Sequence, residues 1–423
     1  MPRISPKRST AISIKPLLFF VVLPILLGIL VTIAPSISSR IYTFIPTLLC
    51  SSTRVTTLIC SRLSLRTMAT NSAPYARERR IAELAVQRAA ILTRAVYTSK
   101  VKGTVTKEDK SPVTLADFGA QSLVFAALHA SFPNDNIIGE EDSSDLRSNP
   151  ELTSLVFTAI QDALSSNEQG AAESAELGTI SNEQEMLEYI DKGDCKDSAT
   201  GRVWALDPID GTKGFLRGGQ YAIALGLLVD GEVKVGVLGC PNLSAGEGEG
   251  EGVILSAVRG QGAIVKPMSA DLDSISEPQQ ISMNQISSTS EASFCEGVEA
   301  GHSAQDLQAK IAQALGITAP SVRMDSQAKY AAISMGQGEI YLRLPTKLTY
   351  EEKIWDHAAG SIIVEEAGGE LVDMYGDAID FSTGRTFKRN KGFIAMPKSI
   401  AEDVKKVVRE FAVETYGRWK SSL

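Results

Sequence analysis

Hydrophobic and polar positions change their rhythm several times along the chain. From Arg77 to about Lys100 the apolar residues Ile81, Leu84, Ala85, Leu92 and Val96 recur at helical spacing, with Arg and Glu between them. That period predicts an amphipathic helix. A second helix is expected from Leu115 to His129, stopping before Pro133. Arg202–Leu206 reads as a short buried strand with Asp207 at its end. Ala222–Val229 and Glu232–Leu238 are apolar runs joined by Asp230-Gly231, a hairpin signal. Gly246–Gly252 alternates Gly with Glu and reads as a flexible acidic loop. It does not match the GxGxxG nucleotide fingerprint. Strand-like Val253–Val258 follows. Past residue 300, helices are expected near Ala304–Leu315, Ala328–Met335, Trp355–Ala367 and Ser399–Tyr416. Strands are expected near Val322, Ile340–Leu344, Glu370–Asp373 and Gly392–Ala395. Antiparallel hairpins first and alternating elements later predict α+β followed by α/β. The stretch 143–200 is rich in Ser, Glu, Asn and Gly and reads as a long insertion with a helix or two.

Charge divides this pattern in two. The 423 residues carry a formal net charge of −8, which argues against sequence-independent binding to a nucleic-acid polymer. Residues 1–67, however, hold eight basic residues and no acidic one, so 68–423 carries −16. Pro16–Ser39 is uncharged, and Leu17–Ala34 is almost wholly aliphatic, long enough to span a bilayer. Three readings stay open for 1–67: a membrane anchor acting through 16–39, a cleaved targeting peptide, or an upstream extension absent from the main product. Met68 would be a natural second start. Lys7, Arg8 and Lys15 ahead of the apolar run favour a cytosolic N-terminus. The remainder divides into an expected metal-binding subdomain, 68–240, and a specificity subdomain, 241–423.

The densest chemistry is Asp207-Pro208-Ile209-Asp210-Gly211-Thr212. Pro208 fixes its own φ and Gly211 permits a sharp turn, so two carboxylates three residues apart can converge on one point. Like charges that close repel unless a cation lies between them, and oxygen-only ligands on a rigid frame suit Mg²⁺. A surface turn with Asp capping the next helix is the plainer alternative. Ile137-Ile138-Gly139-Glu140-Glu141-Asp142 places three acids after a short apolar strand, and alone it also reads as a solvated charge run. Asp356, in Trp355-Asp356-His357-Ala358-Ala359-Gly360, and Asp117, in Thr114-Leu115-Ala116-Asp117, both sit where helices begin and could simply be caps. His357 is read as structural.

Together these strings say more than any one of them. GEED, DPIDGT and WDHAAG, in that order, resemble the lithium-sensitive, Mg²⁺-dependent phosphatase superfamily of inositol monophosphatase and fructose-1,6-bisphosphatase. The resemblance spans about 75–400. Lys110-Ser111-Pro112-Val113-Thr114, Asp207 through Arg217, Gly297 through Ser303, Asp325 through Tyr330, and Tyr341 through Pro345 look like its 3′(2′),5′-bisphosphate nucleotidase branch. The resemblance implies a layered αβαβα sandwich in two subdomains and two or three Mg²⁺ ions. Glu140, Asp207 and the carbonyl of Ile209 resemble ligands of one metal; Asp207, Asp210 and Asp356 resemble those of a second; Glu140 and Glu141 lie where a weaker one would be held. Thr212 and Asp117 resemble the pair that orients and deprotonates the attacking water. Gly211, Thr212, His302, Ser326, Lys329, Arg343 and Asp356 fall at substrate-binding positions.

The implied reaction is hydrolysis of adenosine 3′,5′-bisphosphate to AMP and phosphate, with 3′-phosphoadenylyl sulfate as a second substrate, inhibition by Li⁺, and a role in sulfur metabolism. An inositol mono- or polyphosphate phosphatase is the alternative. A covalent route finds no support: there is no GxSxG elbow and only three His. Cys195, Cys240 and Cys295 show no metal spacing and are read as reduced thiols, which fits a cytoplasmic catalytic part. The chain is expected to be monomeric.

Overall fold

The computed structural model describes residues 73–98, 104–106, 112–166, 176–246, 252–269, 277–299, 301 and 303–419. The leader 1–67, Lys110, Ser111, most of the Gly/Glu loop and His302 lie outside the described residues. Among the described residues no helix is long and apolar enough to cross a membrane.

The first amphipathic stripe forms α1 (Ala76–Thr98), whose apolar residues are buried as expected. After a two-strand ribbon, β1 (Thr104–Thr106) and β2 (Pro112–Thr114), comes α2 (Leu115–Ser131). It is buried on nearly every side, because α1 and the sheet take one flank and the 143–200 segment takes the other. That segment is more ordered than its composition suggests. After β3 (Asn136–Gly139) it forms α3 (Ser144–Ser148), α4 (Pro150–Ser166) and α5 (Glu183–Asp191). Leu146, Val156, Ile160, Met186 and Ile190 join Leu92, Phe118 and Leu123 in one apolar cluster. Their apolar residues recur at helical spacing, so a few buried side chains per helix fix it to α2.

The larger sheet has seven strands in the order β3-β4-β5-β6-β7-β8-β9, adding β4 (Arg202–Asp210), β5 (Ala222–Val229), β6 (Glu232–Cys240), β7 (Val253–Val258), β8 (Ala263–Pro267) and β9 (Gln279–Ile281). Only β3 and β4 run parallel. The Asp230-Gly231 hairpin forms, with φ of 51° and 79°. The division expected after Cys240 falls inside this sheet, since β6 pairs directly with β7. Both faces are covered, so the strands read as unbroken apolar runs. Trp204, Leu206, Leu225 and Val237 face α1 and α2; Val203, Ala205, Ala224 and Leu238 face the opposite layer.

That opposite layer holds α8 (Ala328–Ser334) and α9 (Ala358–Glu366), preceded in sequence by β10 (Phe294–Glu296), α7 (Gln305–Ala314) and β11 (Val322–Arg323). α9 lies close against the sheet because Gly226 and Gly236 carry no Cβ: one built on Gly236 would stand 2.6 Å from the Ala359 carbonyl oxygen. A five-stranded sheet, β11-β10-β12-β14-β13, forms the next layer, with β12 (Ile340–Arg343), β13 (Gly369–Val372) and β14 (Phe393–Pro397). α7 and α10 (Ala401–Tyr416) cover its far face. The layers therefore run helix, sheet, helix, sheet, helix, as the resemblance implied.

Candidate active site

Two parallel strands deliver the acidic residues. β3 pairs with β4 so that Gly139 lies beside Leu206; Glu140 follows the end of β3, and Asp207 follows Leu206 where that pairing stops. A residue at the C-terminal end of such a strand is free to face a crevice. The sequence pattern predicts the strand's end at Asp207; β4 instead continues through Asp210. Between them the register shifts: Asp207 opposes Ala224 and Asp210 opposes Ala222. Residues three apart on a regular strand point to opposite faces. The extra residue cancels that, and both carboxylates share the face of Ala222 and Ala224, toward α8 and α9.

The turn that follows is held tightly. Gly211 has φ of 87°, and a Cβ there would meet Ser326 Cβ at 2.9 Å. Ile209 N donates to Asp207 Oδ1 (3.1 Å), and Thr212 Oγ1 lies 3.3 Å from Ile209 O. Thr212 opens α6 (Thr212–Arg217). Gln327 N donates to Asp210 Oδ2, Gln327 Nε2 donates to Trp355 O (2.9 Å), and Gly360 N donates to Gln327 Oε1 (3.2 Å). One buried amide thus ties the β4 end to both helices of the middle layer. Asp356 sits in a 3₁₀ turn, Ile354–Asp356, and α9 starts only at Ala358. Asp117 stands in the first turn of α2.

Glu140, Glu141, Asp207, Ile209, Asp210, Gly211, Thr212, Ser326, Lys329, Arg343 and Asp356 all line one cleft of about 780 Å³. Asp117 is buried, and its charge acts on Asp207. His302 is the sequence-predicted residue outside the described positions. Burial pushes the Asp207 carboxyl far up, and Glu140, Asp210, Asp356 and Asp117 push it further. Asp356 is raised by burial and by Asp210 against the pull of Arg343; Asp210 is raised by burial, with Lys329 opposing. Oxygen-only donors whose charges oppose one another in a buried site are the donor set a hard divalent cation fits.

Basic residues share the cleft with these acids. Lys329 is buried, and burial lowers its ammonium from the ordinary value. Its Nζ donates to Ser326 O (2.7 Å) and lies 5.1 Å over the Tyr341 ring. Ser326 itself holds φ of 67°, strained for a residue with a Cβ, and its Oγ accepts from Ala328 N at 3.0 Å. Arg343 ends β12 and pairs with Glu352 at 2.7 Å. His357 stays structural: its ring stacks on Phe393 at 3.6 Å, and burial depresses it to about 4, so it is neutral at pH 7.

Several site residues carried no signal in the sequence. Gln121, buried on α2, clamps the acidic loop by donating to Glu141 O (2.7 Å) and accepting from Glu141 N (3.1 Å). Arg385 donates to Gly139 O (2.6 Å) and Gly193 O (2.8 Å) and stacks 4.7 Å over Trp355, joining the Glu140 loop to the Asp356 turn. Gln327, Glu352 and Tyr350 belong with them. Most of them act on a segment 20 or more residues away, which no local motif reveals.

The chain matches the inositol monophosphatase family over residues 76–411. It is 52% identical over 352 residues to the 3′(2′),5′-bisphosphate nucleotidase of Emericella nidulans, covering 79% of this chain and 98% of that protein. The enzyme of the same name from Schizosaccharomyces pombe is 49% identical over 336 residues, covering 77% and 93%. Among solved structures, the IMPase of Thermotoga maritima shares the fold with a TM-score of 0.51 at 22% identity, over 78% of this chain and 96% of that one. The extragenic suppressor protein suhB of Bartonella henselae does so at 0.53 and 18%, over 79% and 99%. Metal-dependent phosphate-ester hydrolysis characterises the family, and the oxygen-donor cleft fits it. The chain belongs to the inositol monophosphatase family.

Proposed function

We propose that this chain is a Mg²⁺-dependent phosphomonoesterase that converts adenosine 3′,5′-bisphosphate to AMP and phosphate, and that it also hydrolyses 3′-phosphoadenylyl sulfate. The observation that carries this reading is that acidic and basic groups line one cleft: Asp207, Asp210 and Asp356 share it with Lys329 and Arg343, whose charges act on Asp210 and Asp356. A bisphosphate needs both, a cation-binding end for the phosphate that leaves and fixed positive charge for the one that stays. The names of the 52% and 49% identical relatives support the nucleotide over an inositol phosphate.

Glu140, Asp207 and the Ile209 carbonyl would hold one ion, Asp207, Asp210 and Asp356 a second, and Glu140 with Glu141 a weaker third. Such ions supply neutralisation of the dianionic phosphate and polarisation of a water molecule. Thr212 would accept a hydrogen bond from that water while donating to Asp117, so that Asp117 receives the proton. Gly211 leaves room for the phosphate against the chain. Ser326, Lys329, Arg343 and His302 would bind the nucleoside and its 5′-phosphate. The enzyme acts as a monomer, its catalytic part is cytoplasmic, and Li⁺ inhibits it.

The test is phosphate release by the full chain from adenosine 3′,5′-bisphosphate, inositol 1,4-bisphosphate and inositol 1-phosphate, with and without Mg²⁺. Preference for the nucleotide supports the reading; preference for either inositol phosphate replaces it with the alternative.

A further inference from the structure

Arg343 stands between two carboxylates at unequal range. Its Nη2 lies 2.7 Å from Glu352 Oε2 and 3.8 Å from Asp356 Oδ2. Glu352 is only 7% exposed and cannot withdraw. Its carbonyl accepts from Phe387 N at 3.0 Å, and the next residue, Lys353, bridges to Thr386. Behind it, His357 places Nε2 at 3.8 Å from the same carboxylate oxygen. That imidazole is fixed in turn by Phe393 and by Tyr330 Oη, 2.8 Å from Nδ1. Glu352 therefore has a rigid backing, and it faces Arg343 as a close charge pair. The guanidinium is not saturated by this pair: Nε is buried with no acceptor among the described residues.

An arginine one ångström short of a second carboxylate closes on it when nothing holds it back, because the bidentate arginine–carboxylate pair is among the strongest polar contacts. Closure onto Asp356 would occupy the oxygens a metal requires. We propose that Glu352 is a positioning residue that holds Arg343 off Asp356, leaving the Asp356 oxygens for metal and the exposed fifth of the Arg343 side chain for an anion of the substrate. This rests on the reading of Asp356 as a metal ligand and of Arg343 as a contact to the second phosphate.

The test is Mn²⁺ titration calorimetry on the full chain as wild type, E352Q, E352D, R343M and E352Q/R343M, with steady-state hydrolysis of adenosine 3′,5′-bisphosphate alongside. E352Q keeps the shape and removes the charge. It should weaken Mn²⁺ binding by about tenfold or more, the scale of a neighbouring opposite charge. E352D keeps the charge and should retain most of the affinity. E352Q/R343M should bind Mn²⁺ within about twofold of R343M, since the group that closes on Asp356 is gone, while KM stays high. Unchanged Mn²⁺ affinity in E352Q overturns the proposal. So does a double variant that binds Mn²⁺ as weakly as E352Q, which is the result a merely structural role predicts. If E352Q does not fold, the comparison of the double variant with R343M decides, because it leaves no lone buried ion. An R343M enzyme with wild-type KM for adenosine 3′,5′-bisphosphate would refute the substrate reading of Arg343, and the Mn²⁺ titrations would still judge Glu352.

Discussion

Asp117 and Gln121 sit four residues apart on one helix and do different work. Asp117 is buried and adds to the negative field on Asp207. Asp117→Asn should lower kcat by about 10²–10⁴-fold, the usual worth of a proton acceptor, with the melting temperature unchanged or raised because one like charge is gone. Steady-state kinetics beside a thermal melt checks both, and retained turnover would remove Asp117 from the water-activating pair. Gln121 instead supports the backbone of the acidic loop. Gln121→Leu leaves the Glu141 N–H and carbonyl without their partner, at a cost of about 1–3 kcal/mol for each buried group. Urea denaturation should show that loss, and Mg²⁺ activation should need more metal. Asp117 was legible in the sequence through its neighbours in a motif. Gln121 was not, because its partners come from a different segment of chain.

At the scale of elements, the regular pieces followed from period alone. The α1 stripe, the Asp230-Gly231 hairpin and the late alternation all form where the pattern places them. What escaped was set by neighbours. The three helices of 143–200 sit among Ser, Glu, Asn and Gly, and their apolar stripes join the core only against α2. The shift between Asp207 and Asp210 exists only in the pairing with β5. Sequence could say that two acids lie three apart, but only the register shows why they share a face. The contact between α9 and the sheet is another such case. Gly236→Ala would force a methyl against the Ala359 carbonyl oxygen and should cost about 1–3 kcal/mol by overpacking. A shift of the denaturation midpoint with an unchanged slope is the expected readout.

For the molecule as a whole, buried acidity is the governing feature. Asp207, Asp210 and Asp356 all have carboxyls raised in the folded state, chiefly by burial. A raised carboxyl stabilises the fold below its unfolded value, near about pH 4, and that contribution is lost as pH rises through the folded value. Metal-free chain should therefore lose stability from these groups as pH climbs from about 4 toward neutrality. Saturating Mg²⁺ should remove most of that slope, which melts with EDTA or Mg²⁺ across pH would reveal. The layered fold and most of the acidic and basic lining were legible in short motifs; the clamps made by Gln121, Gln327 and Arg385 were not, because each joins different segments of the chain, and the Glu352–Arg343 pair was not, because it depends on how a loop returns to β12. On the proposed reading, the acidic and basic groups of the cleft together serve one small nucleotide bisphosphate. Mg²⁺-dependent phosphate release by the full chain measures this most directly. Adenosine 3′,5′-bisphosphate should be hydrolysed with the higher kcat/KM, and faster turnover of inositol 1,4-bisphosphate or inositol 1-phosphate would contradict the account.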